Sequence, residues 1–315
     1  MTDATAPGRH RPGIEDRLPA FTLPDTGERI VAVDPHDSAA TVVVFTSSGC
    51  PYALAWHDRI QDLARDYEAR GVRTVQVVSN DESTQPADSP EALQGRVAAG
   101  DFGSVVLRDA GQSVAAAFGA TATPEVFVLD PDGVLRYHGA PDANHDDPAL
   151  RAEWLRDALD DVLERRPVGR PTTSVAGCSI KWRVELLWTD GCPTHDDAHQ
   201  LLEQTLSGMG REDVVVRLVH VGTRREADDR SFPGSPTFHV GGRDLFPADA
   251  PPSLGCRVYQ RPDGRISPLP APDDLEARLR EALARPWDLP GWTDFRQGAQ
   301  RHAAPPRRAE QGGRR

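Results

Sequence analysis

An α/β fold of two tandem domains, each a central mixed sheet flanked by helices, is predicted by three features of this sequence. With 315 residues the chain is long enough for two domains that each bury a core. The order strand, helix, strand, helix, proline, strand, strand, helix can be read along it twice. The tripeptide GCP also stands twice, at residues 49–51 and 191–193, each time between a short apolar run and an amphipathic stretch.

The elements follow in order. Residues 1–13 read as a disordered arm, and LPAFTLPDTGERIVAV then gives two short extended pieces around a DTG turn. TVVVFT is a continuous β-branched run suited to a strand buried on both faces. After SSGCP, the spacing of Trp56, Ile60, Leu63 and Tyr67 puts them on one face of a helix that Gly71 ends. VRTVQVVS is the next strand, and SPEALQGRVAAG a helix with Ser89 as N-cap and Pro90 at its first position. SVVLRD and QSVAAAFG repeat strand and helix. EVFVLD and VLRYHG flank a PDG turn as an antiparallel hairpin, and a helix is expected over 147–165.

These elements delimit a first domain over 14–166. A Pro-rich linker, 167–181, carries Cys178. A smaller domain, 182–286, repeats the order through RVELLW, a helix with Ala198, Leu201, Leu202 and Thr205 on one face, DVVVRLVHV, TFHV, RDLF, CRVYQ and a helix near 273–284. Residues 287–315 read as a disordered basic tail, rich in Pro, Gly and Arg without apolar periodicity.

Composition removes several functions. The net charge is −12, and since the tail alone is basic, the body is more acidic still and repels phosphate backbones, so no nucleic-acid partner is expected. No apolar run is long enough to cross a bilayer, and MTDATAPGRHRPG has no apolar core of a secretory signal, so a cytoplasmic protein without membrane association is expected. Phosphate loops, GxSxG, HExxH and a GxGxxG after a strand are all missing. Four cysteines are too few for a disulfide scaffold and point instead to catalytic, redox-active or metal-binding roles.

Cys50 stands where a strand hands over to a helix, beside unpaired N–H groups and the positive end of the helix dipole, which favour thiolate over thiol. The same placement is expected of Cys192. Pro124 and Pro236 open strands, where a proline removes a ladder hydrogen bond, and a cis X-Pro bond accounts for both. Cys192, His195 and His199 share a helical face, but their spacing fits no zinc motif and no metal is expected.

A strand, a cysteine at a helix start, and a Thr-Pro or Ser-Pro before a hairpin resemble the thioredoxin fold, whose cis-proline loop lies beside the active cysteine. The resemblance implies that Thr123 and Pro124 face Cys50, and that Ser235 and Pro236 face Cys192. Through LPAFTLPDTGE, VVVFTSSGCPYALAWHDRI, GATATPEVFVLD and GCSIKW, residues 18–182 resemble the redoxin branch that includes alkyl hydroperoxide reductase and thiol-specific antioxidant proteins. Residues 183–285 resemble a small thioredoxin-like domain through VELLWTDGCP, GSPTFHV and CRVY.

The sequence departs from these families in telling ways. Neither cysteine belongs to a Cys-x-x-Cys: Cys50 is followed by Pro51, Tyr52 and Ala53, and Cys192 by Pro193, Thr194 and His195. Ala122 and Ser47 stand where relatives often carry cysteines. Ser47-x-x-Cys50 resembles the Thr/Ser-x-x-Cys of peroxiredoxins, whose hydroxyl helps hold the peroxide, yet TATPEVF lacks their arginine. A sulfenic acid at Cys50 needs a second thiol, from Cys178, Cys192, Cys256 or an external molecule. Cys178, on a flexible linker, is the first choice, and Cys256 is the natural partner of Cys192.

The expected function is a thiol oxidoreductase that reduces a peroxide or a disulfide through Cys50, in antioxidant defence or cell redox homeostasis. Ser47, Pro51, Thr123, Pro124, Pro193, His195, Ser235 and Pro236 are expected to line the two sites. No bound cofactor is expected, and electrons are expected from a thioredoxin- or glutathione-type reductant. The other reading is a redox-inactive thioredoxin-fold module that binds a peptide or partner protein, because folds outlive their chemistry. The oligomeric state is not legible.

Overall fold

The computed structural model describes residues 12–211, 214–261 and 263–283. Residues 1–11 of the expected arm and the whole expected tail, 287–315, lie outside the described residues. The first half forms β1 (Phe21–Pro24), β2 (Ile30–Val33), β3 (Ala40–Thr46), α1 (Pro51–Glu68), β4 (Val72–Val78), α2 (Pro90–Ala98), β5 (Val105–Arg108), α3 (Ser113–Phe118), β6 (Ala122–Thr123), β7 (Glu125–Leu129), β8 (Leu135–Gly139) and α4 (Glu153–Leu163). β9 (Cys178–Ser179) leads to β10 (Val184–Trp188), α5 (His195–Gly208), β11 (Val216–His220), α6 (Arg224–Asp229), β12 (Thr237–Val240), β13 (Arg243–Asp244), β14 (Tyr259–Gln260), β15 (Ile266–Ser267) and α7 (Pro272–Ala282).

β3 is the axis of the first half because all seven of its residues are buried. It pairs in parallel with β4 and antiparallel with β7, in a five-stranded mixed sheet of order β5-β4-β3-β7-β8. Its side chains alternate: Val42 and Val44 join Trp56, Ile60 and Leu63 of α1 and Leu155 of α4, whereas Val43 and Phe45 join Phe118 of α3 and Phe127. A sheet covered on both faces is what a run without polar alternation requires. β1 and β2 form the expected antiparallel hairpin, and the Ser89 side chain caps α2 by accepting from Ala92 N–H at 3.3 Å.

β7 and β8 pair antiparallel around the PDG turn, where the Asp130 carboxylate accepts from Asp132 and Val134 N–H and Gly133 takes a positive φ of 76°. α4 begins at Glu153, six residues later than the periodicity predicts. Carbonyls that a helix would use are held elsewhere: Arg59 of α1 donates to Asn144 O at 2.9 Å, to His145 O at 3.0 Å and to Asp147 O, while also pairing with Asp142 at 2.8 Å.

In the second half β10 lies between parallel β11 and antiparallel β12, with β13 beyond, in a four-stranded sheet backed by α5 and α7. Ala198, Leu202 and Leu206 are the buried face of α5; Leu201 and Thr205, expected there too, are half-buried. α6 fills the second helix place of the repeated order, to which no stretch of the second half was assigned, and Thr223 and Glu226 spell its capping box. CRVYQ yields only β14, which pairs with β15 apart from the main sheet. Among the described residues no helix is long and apolar enough to cross a membrane.

The stretch read as a flexible linker is a fastened strap. Thr173 N–H donates to His138 O and His138 N–H to Pro171 O, both at 3.0 Å, and β9 then pairs antiparallel with β6. Ile180 and Trp182 continue from it into one buried cluster that contains Phe45 and Phe127 of the first half and Val184, Phe238 and Leu275 of the second.

Candidate active site

Cys50 is the N-cap of α1, with Pro51 at the first helical position, where the missing N–H of proline costs nothing. Its residue is 0% exposed. The sulfur faces the loop before β7, and its thiol donates to Thr123 O at 2.8 Å. The Thr123–Pro124 bond is cis. The Thr123 hydroxyl is buried and makes no close hydrogen bond of its own, yet it lies where it favours a thiolate at Cys50.

The strap completes the site. The pairing of β6 with β9 sets Cys178 opposite Thr123, and Gly177 beside it lies so close that a Cβ there would stand 2.3 Å from Thr123 O. A glycine is therefore needed for the strap to seat. Cys178 is half-buried. Hydrogen bonding from the Cys178 side chain is the largest cause holding the Cys50 pKa down to about 6. The Thr123 hydroxyl and the backbone N–H groups of Ala53 and Cys178 act in the same direction, against burial. Cys178 is pushed far above an ordinary thiol by that same hydrogen bond, by burial and by the charge on Cys50.

Two carboxylates behind the sulfur shape its loops, and neither was singled out in the sequence. Asp88, 4% exposed, accepts from Ser47 Oγ at 2.7 Å, Ser48 N–H at 2.6 Å and Asn80 Nδ2 at 2.7 Å. The Ser47 hydroxyl, expected to orient substrate, is thus engaged with Asp88 while it accepts from Gly49 N–H at 3.2 Å. Glu125, 0% exposed, accepts from Thr121 N–H at 2.7 Å and Ala122 N–H at 3.1 Å, and its other oxygen lies 2.5 Å from His138 Nε2. A carboxylate directly after the Thr-Pro pair was the available signal for Glu125. Asp88 carried none, since it meets Ser47 across 41 positions.

The second GCP is built differently. α5 starts at His195 with Thr194 as N-cap, so Cys192 lies outside the helix end instead of capping it as expected. Cys192 is buried with its sulfur 3.7 Å from Thr194 Oγ1, and the exposed Pro193 precedes that cap. His195 Nδ1 contacts Cys192 O at 3.0 Å, and its ring stacks on Trp188 with centroids 4.6 Å apart. His199 pairs with Glu203. The Ser235–Pro236 bond is cis, and the Ser235 hydroxyl accepts from Thr189 N–H at 3.2 Å. Cys256 is exposed and stands opposite Ser235 in an isolated bridge, as Cys178 stands opposite Thr123.

The family model described as Redoxin matches residues 14–153. A hypothetical protein from Sinorhizobium meliloti 1021 is similar at 34% identity with a TM-score of 0.51, over 54% of this chain and 94% of that one. An uncharacterized conserved protein from Geobacillus kaustophilus is similar at 33% identity and a TM-score of 0.51, over 54% and 93%. A peroxidoxin from Mycobacterium tuberculosis aligns at 19% identity and a TM-score of 0.37, over 48% and 96%. No curated protein matches the sequence.

Proposed function

We propose, from the match of residues 14–153 to the Redoxin family model, a thiol oxidoreductase in which Cys50 attacks a peroxide or a disulfide and Cys178 resolves the product. The observation that carries the reading is a contact through Thr123, whose carbonyl accepts from the Cys50 thiol at the helix start and whose backbone pairs with that of Cys178 on the strap. A binding module without redox chemistry leaves that contact unexplained.

With a hydroperoxide, the Cys50 thiolate attacks one oxygen, the O–O bond breaks, and the departing alkoxide or hydroxide takes a proton from water. Cys50 is now a sulfenic acid. The Cys178 sulfur attacks the Cys50 sulfur, its proton leaves with the sulfenic hydroxyl as water, and a Cys50–Cys178 disulfide remains. An external dithiol or two molecules of a low-mass thiol, as a cytoplasm supplies, restore both thiols. Thr123, joined to Pro124 by the cis bond, lies at the sulfur, and the N–H groups of Ala53 and Cys178 hold the charge before attack. Cys192 and Cys256 have no step in this cycle.

The test is consumption of hydrogen peroxide, an organic hydroperoxide and a model disulfide by the purified protein and by Cys50→Ser. Loss of turnover in the variant is expected, together with a Cys50–Cys178 linkage in a peptide map of the oxidised protein. Equal rates for both proteins would sink the proposal.

A further inference from the structure

The strap that brings Cys178 to the site also closes it. β9 occupies the edge that Ala122 and Thr123 present, and Ile180 N–H adds a bond to Thr121 O at 2.9 Å. An extended polypeptide docking at a sheet edge draws its affinity from the same backbone groups. Here the protein's own chain has taken them, and Cys50 is left without exposed surface.

The strap is held on both sides of that crossing. Upstream, the Thr173 hydroxyl accepts from Ala140 N–H at 2.9 Å, in addition to the backbone bonds to His138. Downstream, Lys181 N–H donates to Asn80 Oδ1 at 2.8 Å. Lys181 O accepts from Asp81 N–H at 2.9 Å and from Gln112 Nε2 at 2.7 Å, and Arg183 N–H donates to Gln112 Oε1 at 2.7 Å.

Resting on the reading above, we propose that the strap, residues 171–183, reserves Cys50 for low-mass oxidants, hydroperoxides and small disulfides, and shuts out disulfides carried by polypeptides. The distinction lies in how much must move. A small molecule needs the half-buried Cys178 side chain to swing aside. A polypeptide disulfide brings its flanking chains with it, so β9 must leave β6, and the fastened segments on either side must open as a unit. With a small disulfide the Cys50 thiolate attacks one sulfur, the S–S bond breaks, and the first thiolate leaves and is protonated by water. The Cys178 sulfur then attacks Cys50, its proton goes to the second leaving thiol, and the Cys50–Cys178 disulfide remains for an external thiol to reduce.

The test uses the full chain with Cys192→Ser and Cys256→Ser, which leaves Cys50 and Cys178 as the reacting thiols. Reduced protein is mixed with hydrogen peroxide, a small aromatic disulfide or insulin, and thiol loss is followed by mass spectrometry. Both small oxidants are expected to react, with insulin slower than the small disulfide by about 100-fold or more. Gly177→Val, whose side chain has no room against Thr123, should raise the insulin rate about tenfold or more and speed hydrogen exchange at the Ile180 amide. Should that variant not fold, Gln112→Ala removes two downstream holds and is read the same way. Insulin reacting as fast as the small disulfide in the intact strap overturns the inference alone. No reaction with any oxidant overturns the redox role of Cys50, and this inference with it.

Discussion

Cys50 and Cys178 are the same chemical group with opposite acidities, because a charge on one sulfur is stabilised by the proton on the other. The direction is set by surroundings: Cys50 has a helix start and N–H donors, and Cys178 has none of these. Below a pH of about 6 Cys50 is a thiol and slow; its thiolate fraction, and with it the alkylation rate, rises as pH increases through that value and then levels. Removing the largest cause in Cys178→Ala should move the midpoint upward toward the ordinary thiol range. Cys178→Ser keeps a hydroxyl donor and should fall between. The pH profile of alkylation at the Cys50 peptide checks this, and an unmoved midpoint in Cys178→Ala would show that the strap thiol does not tune Cys50.

At the scale of elements, what was legible is what local pattern controls. β3, α1, the Ser89 cap and the PDG hairpin each follow from residues near in sequence, and so did the two prolines that the structure shows as cis. What was not legible depends on distant partners. The strap gave itself away by no periodicity, since its order comes from His138, Gln112 and Asn80, which are 33 to 101 positions away in the bonds they make. The late start of α4 has the same origin, because one guanidinium on α1 holds the chain after Asp142 out of helix. Asp142 is 1% exposed, and Trp56 Nε1 also donates to it at 2.7 Å. Arg59→Ala should therefore cost about 3 kcal/mol or more, since it leaves a buried carboxylate short of its charge partner. Denaturant unfolding measures the loss; a cost under about 1 kcal/mol would mean that the loop holds its shape without Arg59.

Across the whole molecule, the two GCP segments mark equivalent places in two unequal halves, and the unequal halves meet at the strap. Asp81 is the joint: its N–H donates to Lys181 O, while its carboxylate, 4% exposed, accepts from Arg217 Nη2 of β11 at 2.6 Å. Gly241, at the turn after β12, lies against the Trp182 ring, and its N–H donates to Arg183 O at 2.9 Å. The second half is thus fastened to the segment whose other end covers Cys50, so loosening one should loosen the other. Arg217→Ala removes the side-chain half of the joint without touching the strap or either sulfur. Because Arg217 is a third exposed, the loss should be about 1–2 kcal/mol, and each 1.4 kcal/mol corresponds to a tenfold faster opening equilibrium. The expected outcome is faster hydrogen exchange at Ile180 and faster alkylation of Cys50 in Arg217→Ala, both by a factor of about five to thirty. Faster exchange confined to β10 and β11, with Ile180 and Cys50 unchanged, would show that the strap is held by the first half alone.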